Sequence, residues 1–296
     1  MKKVVVFGGS GFLGSYVAEE LANRGFIVRI ADIIKPSYAP LGYEYIECDI
    51  LKPDAVSEAL DGCDIVYNFA GLADINIAIH EPLKTINLNV VGNINILEAA
   101  KANGIQRFVY ASSAYAVSDK GSFYGISKHA SEKITEEYGK RYGVSYTIIR
   151  YGSLYGERAD KSNYIYTLLK SAIIDKKIIL KGSGEEAREY IHAVDAARLS
   201  VDIVENSSYA NEHLMLTGME KLRRKDLFVM IDEMLGHSIQ IEHAEMNHEG
   251  HYQVTPYAFH PSTAKKLVAN PYIDMGQGIV NCIKSIYEEL GREFEE

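Results

Sequence analysis

Short β-branched apolar runs alternate with longer amphipathic stretches through the first half of the chain. Val4–Phe7, Phe26–Ala31, Tyr43–Glu47, Ile65–Phe69, Phe108–Ala111 and Tyr146–Ile149 read as strands, most of them nearly continuous in apolar residues. Strands buried on both faces have that pattern, as in a parallel sheet covered by helices. Between them, Leu13–Arg24, Ala55–Leu60, Thr85–Asn103 and Tyr124–Tyr142 read as helices, several of which run into Gly25, Gly104 or Gly143. Glycine there suits the left-handed conformation that closes a helix. Alternating β and α elements imply right-handed crossovers and a doubly wound α/β fold. Residues 1–150 are therefore expected to form one parallel-sheet domain.

After Arg150 the rhythm changes. Glycines and polar residues crowd 151–163, a helix is expected over Tyr164–Asp175, and short strands (Lys177–Leu180, His213–Thr217) alternate with further helices. Residues 151–296 are expected to form mainly a smaller, interleaved substrate lobe, with about 186–205 packing back on the first domain. No internal repeat, low-complexity tract or linker separates the two.

The composition narrows the partners. With 296 residues, 47% of them hydrophobic, the chain can bury a sizeable core. Its 31 basic and 40 acidic residues leave a net charge of −9, which argues against nucleic acid or an anionic membrane surface as partner. Three scattered cysteines (Cys48, Cys63, Cys282) suggest neither a disulfide framework nor a zinc site. The apolar run in MKKVVVFGG is too short for a signal peptide, and no run approaches the ~18 residues of a membrane span. A soluble, cytoplasmic protein acting on a small molecule is expected.

The chemistry begins directly after the first strand. Gly8, Gly11 and Gly14 stand three residues apart in GGSGFLG, at the turn into the first helix. The first glycine permits a tight turn, the second lets backbone approach a pyrophosphate, and the third lets helix pack on strand. The helix N-terminus then offers unpaired N–H groups to the anion. Asp32 ends the second strand, 24 residues after Gly8, where a carboxylate accepts hydrogen bonds from an adenosine ribose and repels a 2′-phosphate. NAD is thus favoured over NADP, with Lys35 the one nearby basic residue. This makes residues 1–150 an expected Rossmann domain.

A second constellation follows the fifth strand. YGISK at 124–128 places Tyr124 and Lys128 four residues apart on one helical face. A tyrosine titrates near pH 10, and a neighbouring ammonium stabilises its phenolate enough for acid/base work near neutrality. Alone, the pair reads more readily as a solvated helix face. The strand before it, however, ends in Ala-Ser-Ser at 111–113, at the sheet edge where the glycine loop also lies. A serine there can hydrogen-bond a reacting hydroxyl.

These motifs, with CDI (48–50), NFAG (68–71), NVVGNINILEAA (89–100), ASSA (111–114), RYGSLYG (150–156) and REYIHAVD (188–195), resemble the nucleotide-sugar epimerase/dehydratase branch of the extended short-chain dehydrogenase/reductases, UDP-glucose 4-epimerase-like proteins in particular. The resemblance covers nearly the whole chain. It implies Ser113 as the catalytic serine, with Ser112 as the alternative, Tyr124 as acid/base, and Lys128 tuning Tyr124 and holding the nicotinamide ribose. It implies backbone N–H groups of Phe12 and Leu13 at the pyrophosphate, Asp49 and Ile50 at the adenine, and Phe69, Ala70 and Gly71 along the cofactor groove. Asn89 would stand behind the active site or serve as a structural cap. Arg188 would contact a nucleotide-sugar diphosphate, for which a planar guanidinium is suited, or else pair with Glu189 or Asp195. Ser153, Asn163 and Lys181 fall near substrate positions, and Tyr257 either borders the sugar pocket or packs in the core. His192 and Asp195 read as structural. His243, His248 and His251 sit in a polar stretch, and no metal is expected. Relatives commonly form homodimers, so a homodimer or higher homo-oligomer is expected.

The departures bear on the reaction. Only 11 residues separate Ser113 from Tyr124, where typical relatives have a longer loop; Ser153 replaces an asparagine, Glu157 a proline, and no arginine shortly precedes VTPYAF. Ala114 and Tyr115 stand where 4,6-dehydratases carry an acidic pair, which disfavours dehydration. The same absence counts against UDP-glucuronate decarboxylases. NAD-dependent oxidation at C4 followed by epimerisation is the first expectation. A net dehydrogenase that stops at the 4-keto sugar, hexose or heptose, is the second. A non-catalytic NAD sensor is disfavoured because Tyr124 and Lys128 are both present.

Overall fold

The expected elements appear in the expected order in a computed structural model, which describes residues 1–219, 221–244, 254, 264–268 and 272–294. The chain runs through β1 (Lys3–Phe7), α1 (Phe12–Asn23), β2 (Ile27–Asp32), β3 (Glu44–Glu47), α2 (Pro53–Leu60) and β4 (Ile65–Asn68). There follow α3 (Ile75–His80), α4 (Pro82–Ile86), a π turn (Asn87–Val91), α5 (Gly92–Ala102) and β5 (Arg107–Ser113). A 3-10 turn (Ala114–Val117) leads to α6 (Ser122–Tyr142), β6 (Tyr146–Tyr151), β7 (Ser153–Tyr155), α7 (Tyr164–Ile174), β8 (Lys177–Lys181) and β9 (Ala187–His192). The remainder is α8 (Ala193–Glu205), β10 (Glu212–Leu216), β11 (Lys221–Arg223), α9 (Arg224–Met234), β12 (Gln240–Ala244), β13 (Lys265–Leu267) and α10 (Met275–Glu289).

Eight strands form one parallel sheet in the order β13-β10-β6-β5-β4-β1-β2-β3. The order reverses at β1, between β2 and β4, and a ligand crevice opens at the carboxyl ends of strands at such a point. Alternate residues of β1 feed the two covering layers. Val4 and Val6 pack with Leu13, Val17 and Leu21 of α1 and with Ala196 of α8, whereas Val5 and Phe7 pack with Val56 of α2 and with Ile96 and Leu97 of α5. The period-2 geometry of a strand produces this division.

The chain beyond Arg150 serves both lobes. α8 packs on α1, and β10 pairs with β6, extending the large sheet. A separate core gathers Leu168, Leu169, Leu227, Phe228, Ile279 and Ile283 from α7, α9 and α10. Two small sheets, β11-β9-β7 and β12-β8, edge that lobe. Among the described residues no helix is long and apolar enough to cross a membrane.

Two local differences from the sequence reading adjoin the site. The stretch expected as one helix over Thr85–Asn103 begins at Pro82 and is interrupted by the π turn, which puts Asn89 on the inner side. α3 was not expected, because INIAIH is rich in isoleucine. Its signal is Asp74, whose carboxylate accepts hydrogen bonds from the Asn76 and Ile77 amides as an N-cap.

Candidate active site

The glycine loop is shaped by close backbone approaches. Gly8 has φ +73°, and a Cβ there would lie 2.6 Å from the Ala70 amide nitrogen. A Cβ on Gly14 would lie 2.2 Å from the Gly8 carbonyl oxygen, and one on Gly71 (φ +148°) 2.5 Å from Asn89 Oδ1. No side chain caps the N-terminus of α1, so the first amides of the helix, Phe12 and Leu13 among them, face the loop without intrahelical acceptors. Asp32 Oδ2 accepts from the Ser10 amide at 3.0 Å, which fixes the carboxylate at the mouth of the loop.

A cleft of about 990 Å³ runs outward from here. Gly8, Gly11, Asp32, Asp49, Phe69 and Ala70 line it, together with Ile50, Gly71 and residues 80–84. The Asp49 carboxylate accepts from the Leu51 amide at 3.0 Å, and Ile50 lies against Gly92. Pro82, Leu83 and Lys84 were not singled out from the sequence, since they carry no motif and reach the cleft only through α4. Backbone too close for any Cβ, unpaired helix amides and a carboxylate at the ribose position together fit a bound dinucleotide.

The second constellation is assembled by α6. Tyr124, 8% exposed, packs with Leu72, Ile75 and Ala78; Leu88, on the wall of the cleft, packs against the same cluster. Tyr115 meets the Tyr124 ring edge-on, with centroids 6.2 Å apart. One turn on, Lys128 donates to the Ala111 carbonyl at 2.8 Å, and its Nζ lies 5.8 Å from the Tyr124 ring centroid. Burial lowers the Lys128 pKa to about 8, although Glu132 acts in the opposite direction. Ser113 closes β5, and its Oγ accepts from the Tyr115 amide at 3.3 Å. The short interval to Tyr124 is taken up by the 3-10 turn and by Gly121, which has φ +90° and sits against the Tyr115 ring.

Asn89 is clamped rather than free. Its Oδ1 accepts from the Leu72 amide at 2.7 Å, and its Nδ2 donates to the Leu72 carbonyl and to Ser127 Oγ, both at 2.9 Å. It thereby ties the NFAG strand end to α6, behind Tyr124.

Other candidates are employed differently. The Ser112 hydroxyl donates to Glu132 Oε1 at 2.5 Å, inside a buried ion pair. Asn163 caps α7, accepting from the Ile165 and Tyr166 amides and donating to the Leu154 carbonyl. Ser153 is half-buried on β7 opposite Tyr190, and Lys181 ends β8. Tyr257, His248 and His251 lie outside the described residues.

Arg188 is half-buried on β9. The β11 strand pairs with it antiparallel, Leu222 opposite Arg188, and delivers Arg224 to the same neighbourhood. The Arg224 guanidinium lies 5.3 Å from the Tyr164 ring centroid. Tyr164 feels the positive field of both arginines, against a larger upward push from burial. Arg224 carries no motif of its own and comes beside Arg188 only through the pairing of β11 with β9.

A glycine loop at the switch point, a carboxylate at the end of β2 and a Ser/Tyr/Lys set on neighbouring elements are the arrangement of an NAD-binding oxidoreductase-type enzyme. A model of the NAD dependent epimerase/dehydratase family matches residues 4–216, and the chain belongs to that family; NAD is its cofactor. It is 27% identical over 256 residues to a putative UDP-glucose 4-epimerase of Methanocaldococcus jannaschii, covering 79% of this chain and 82% of that protein. It is 30% identical over 168 residues to a uronate dehydrogenase of Agrobacterium fabrum, covering 52% and 62% respectively. Among solved structures, the UDP-glucuronic acid 4-epimerase of Bacillus cereus in complex with UDP-glucuronic acid and NAD superposes with a TM-score of 0.85 at 21% identity, over 97% of this chain and 99% of that one.

Proposed function

We propose that this enzyme is a nucleotide-sugar 4-epimerase in which Ser113, Tyr124 and Lys128 carry the proton transfer. The observation that carries the reading is the pairing of Tyr124 and Lys128 on α6 beside the Ser113 end of β5, with Ala114 and Tyr115, not acids, at the next two positions. The buried Lys128 ammonium favours the Tyr124 phenolate, which accepts the proton of the C4 hydroxyl. Ser113 hydrogen-bonds the same oxygen and holds it against Tyr124. The chemistry supplied by bound NAD is acceptance of the C4 hydride and, in an epimerase, its return to the opposite face. Tyr124 then returns the proton to the oxygen. Without a carboxyl group at positions 114 and 115 there is no acid there to expel a neighbouring hydroxyl, which disfavours dehydration.

Arg188, with Arg224 beside it, is placed in this reading at the substrate diphosphate. Assembly as a homodimer belongs to the same reading: Val91, beside α5, and Phe123, Ile126 and Tyr142 on α6 are exposed apolar residues of the two helices that relatives pair. Light scattering on the purified protein would test it.

A net dehydrogenase that leaves the 4-keto sugar is the second reading, and the similarity to uronate dehydrogenases favours keeping it. A panel of UDP-, GDP- and dTDP-sugars separates the two. Inverted sugar without net absorbance at the NADH band supports the epimerase. Stoichiometric NADH with a keto product refutes it and leaves the dehydrogenase. Tyr124→Phe should lose at least a hundredfold in turnover while binding NAD normally, and near-native activity in that variant would overturn the role of Tyr124.

A further inference from the structure

Behind the Ser/Tyr/Lys set lies a buried charge cluster that the proposed chemistry does not use. Glu132 stands four residues after Lys128 on α6, so the two side chains share a helical face. Its side chain has no solvent exposure. Arg150 of β6 binds it bidentately, Nε to Oε1 at 2.8 Å and Nη2 to Oε2 at 2.7 Å. Ser112 adds a third hydrogen bond to Oε1. The carbonyl of the preceding residue, Ala111, is the one that receives Lys128. Three donors thus lock a carboxylate one helical turn from the ammonium, on the side away from Tyr124.

We propose that Glu132 is a positioning residue for the reaction: its fixed negative charge keeps the buried Lys128 ammonium protonated and aimed between Ala111 and Tyr124 across the working pH range.

The surroundings of Lys128 leave Glu132 as its one close anion among the described residues. β5 contributes the Tyr110 ring, 5.0 Å from Lys128 Nζ, and the Ala111 carbonyl that accepts from it. α6 itself contributes Tyr124 and Glu132, and the 3-10 turn contributes Tyr115. The π turn and α5 face α6 with the neutral amides of Asn89 and Asn93. On the far side of Glu132 stand Arg150 and His213, and beyond them Glu136. His213 Nδ1 lies 3.1 Å from Arg150 Nη2, while its Nε2 lies 3.1 Å from Glu136 Oε1. An arginine offers no acceptor, so Nδ1 must be the lone-pair nitrogen and Nε2 the N–H that faces Glu136. Burial holds the His213 pKa below its ordinary value. Arg150 partly cancels Glu132, yet Glu132 is the charged group whose field acts on Lys128. Burial drives the Lys128 pKa down and Glu132 opposes that fall.

The inference rests on Tyr124 and Lys128 acting as the acid/base pair, and its test reads Lys128 directly as well as through activity. The 13C resonance of the Lys128 ε-carbon, assigned by its loss in Lys128→Met, is titrated in the NAD-loaded enzyme. Glu132→Gln should lower the Lys128 titration midpoint by about one to two pH units, and the alkaline limb of turnover should move with it. The doubly neutral Glu132→Gln/Arg150→Met, which removes the burden of an unpaired buried charge, should lower it by about half to one unit. Glu132→Asp should restore part of the shift. An unchanged Lys128 titration in folded variants, with turnover reduced equally at every pH, would show a purely structural pair and overturn the proposal. A shifted titration with an unmoved activity profile would instead reject Lys128 as the residue that sets the reaction's pH range.

Discussion

Replacing Lys128 by methionine separates what the lysine does for catalysis from what it costs the fold. In the unfolded chain the ammonium titrates at its ordinary value of 10.5, whereas burial in the folded protein lowers this to about 8. The unfolded state therefore binds the proton more tightly. The folded state carries a penalty that is full below pH 8 and fades as the pH rises from 8 to 10.5. Each pKa unit is worth about 1.36 kcal/mol, so the penalty is about 3 kcal/mol at pH 7. Methionine fills nearly the same volume without charge, but forfeits the hydrogen bond to Ala111, worth about 1 kcal/mol. Lys128→Met should thus gain about 2 kcal/mol at pH 7, raising the thermal midpoint of the NAD-free protein by about 3–5 °C. The gain should shrink toward pH 10.5, and turnover should be lost. A variant less stable than the parent at pH 7, or a gain that ignores pH, would refute the reasoning.

Gly14→Ala puts a methyl group where the Gly8 carbonyl oxygen stands at 2.2 Å; α1 must move, and NAD affinity measured by fluorescence titration should fall at least tenfold. Arg224→Ala should raise KM for the accepted nucleotide sugar about tenfold or more with kcat little changed, and UDP binding should weaken more than uridine binding. For Glu157, burial raises the pKa, but the His192 ring 3.3 Å away and the hydrogen bond from Tyr16 outweigh it and hold the carboxyl at about 2. Its folded pKa lies below the unfolded one, so the stabilisation is complete above about pH 4.5 and is lost as the pH falls toward 2. Glu157→Gln, at a side chain 30% exposed, should cost about 2 kcal/mol at pH 7 by urea denaturation, after allowance for solvent screening. The gap to the parent should close below pH 4.5.

The parts of the fold legible in the sequence were those where one local rule spoke without competition. β1 and β4 are nearly continuous apolar runs because both their faces are covered, and helices such as α6 announced their ends through Gly143. The glycine loop, Asp32, Tyr124 and Lys128 were legible because their spacing is set by a turn and by one helical turn. What stayed hidden depends on contacts distant in sequence. Ser112 and Ser113 are chemically equivalent in ASSA, and only the partner that meets each hydroxyl, Glu132 for one and the Tyr115 amide for the other, tells them apart. The cap that Asn163 provides to α7 was also hidden, because a helix cap and a ligand contact use the same amide. Arg224 was invisible until β11 carried it back beside β9.

The π turn at Asn87–Val91 contains one residue more than an α-helix would use over the same length. Losing a residue there would let the segment relax into uniform helix, and everything before it would rotate by roughly 100° relative to everything after it. Leu88 and Asn89 face Tyr124 and the Leu72 backbone, while Ile96 and Leu97 face the sheet. Both sets are satisfied at once only because the extra residue resets the phase between them. The chain can shorten between Ser113 and Tyr124, as it has, but a deletion of one residue in this helix would leave the core packed and the active site out of step with it.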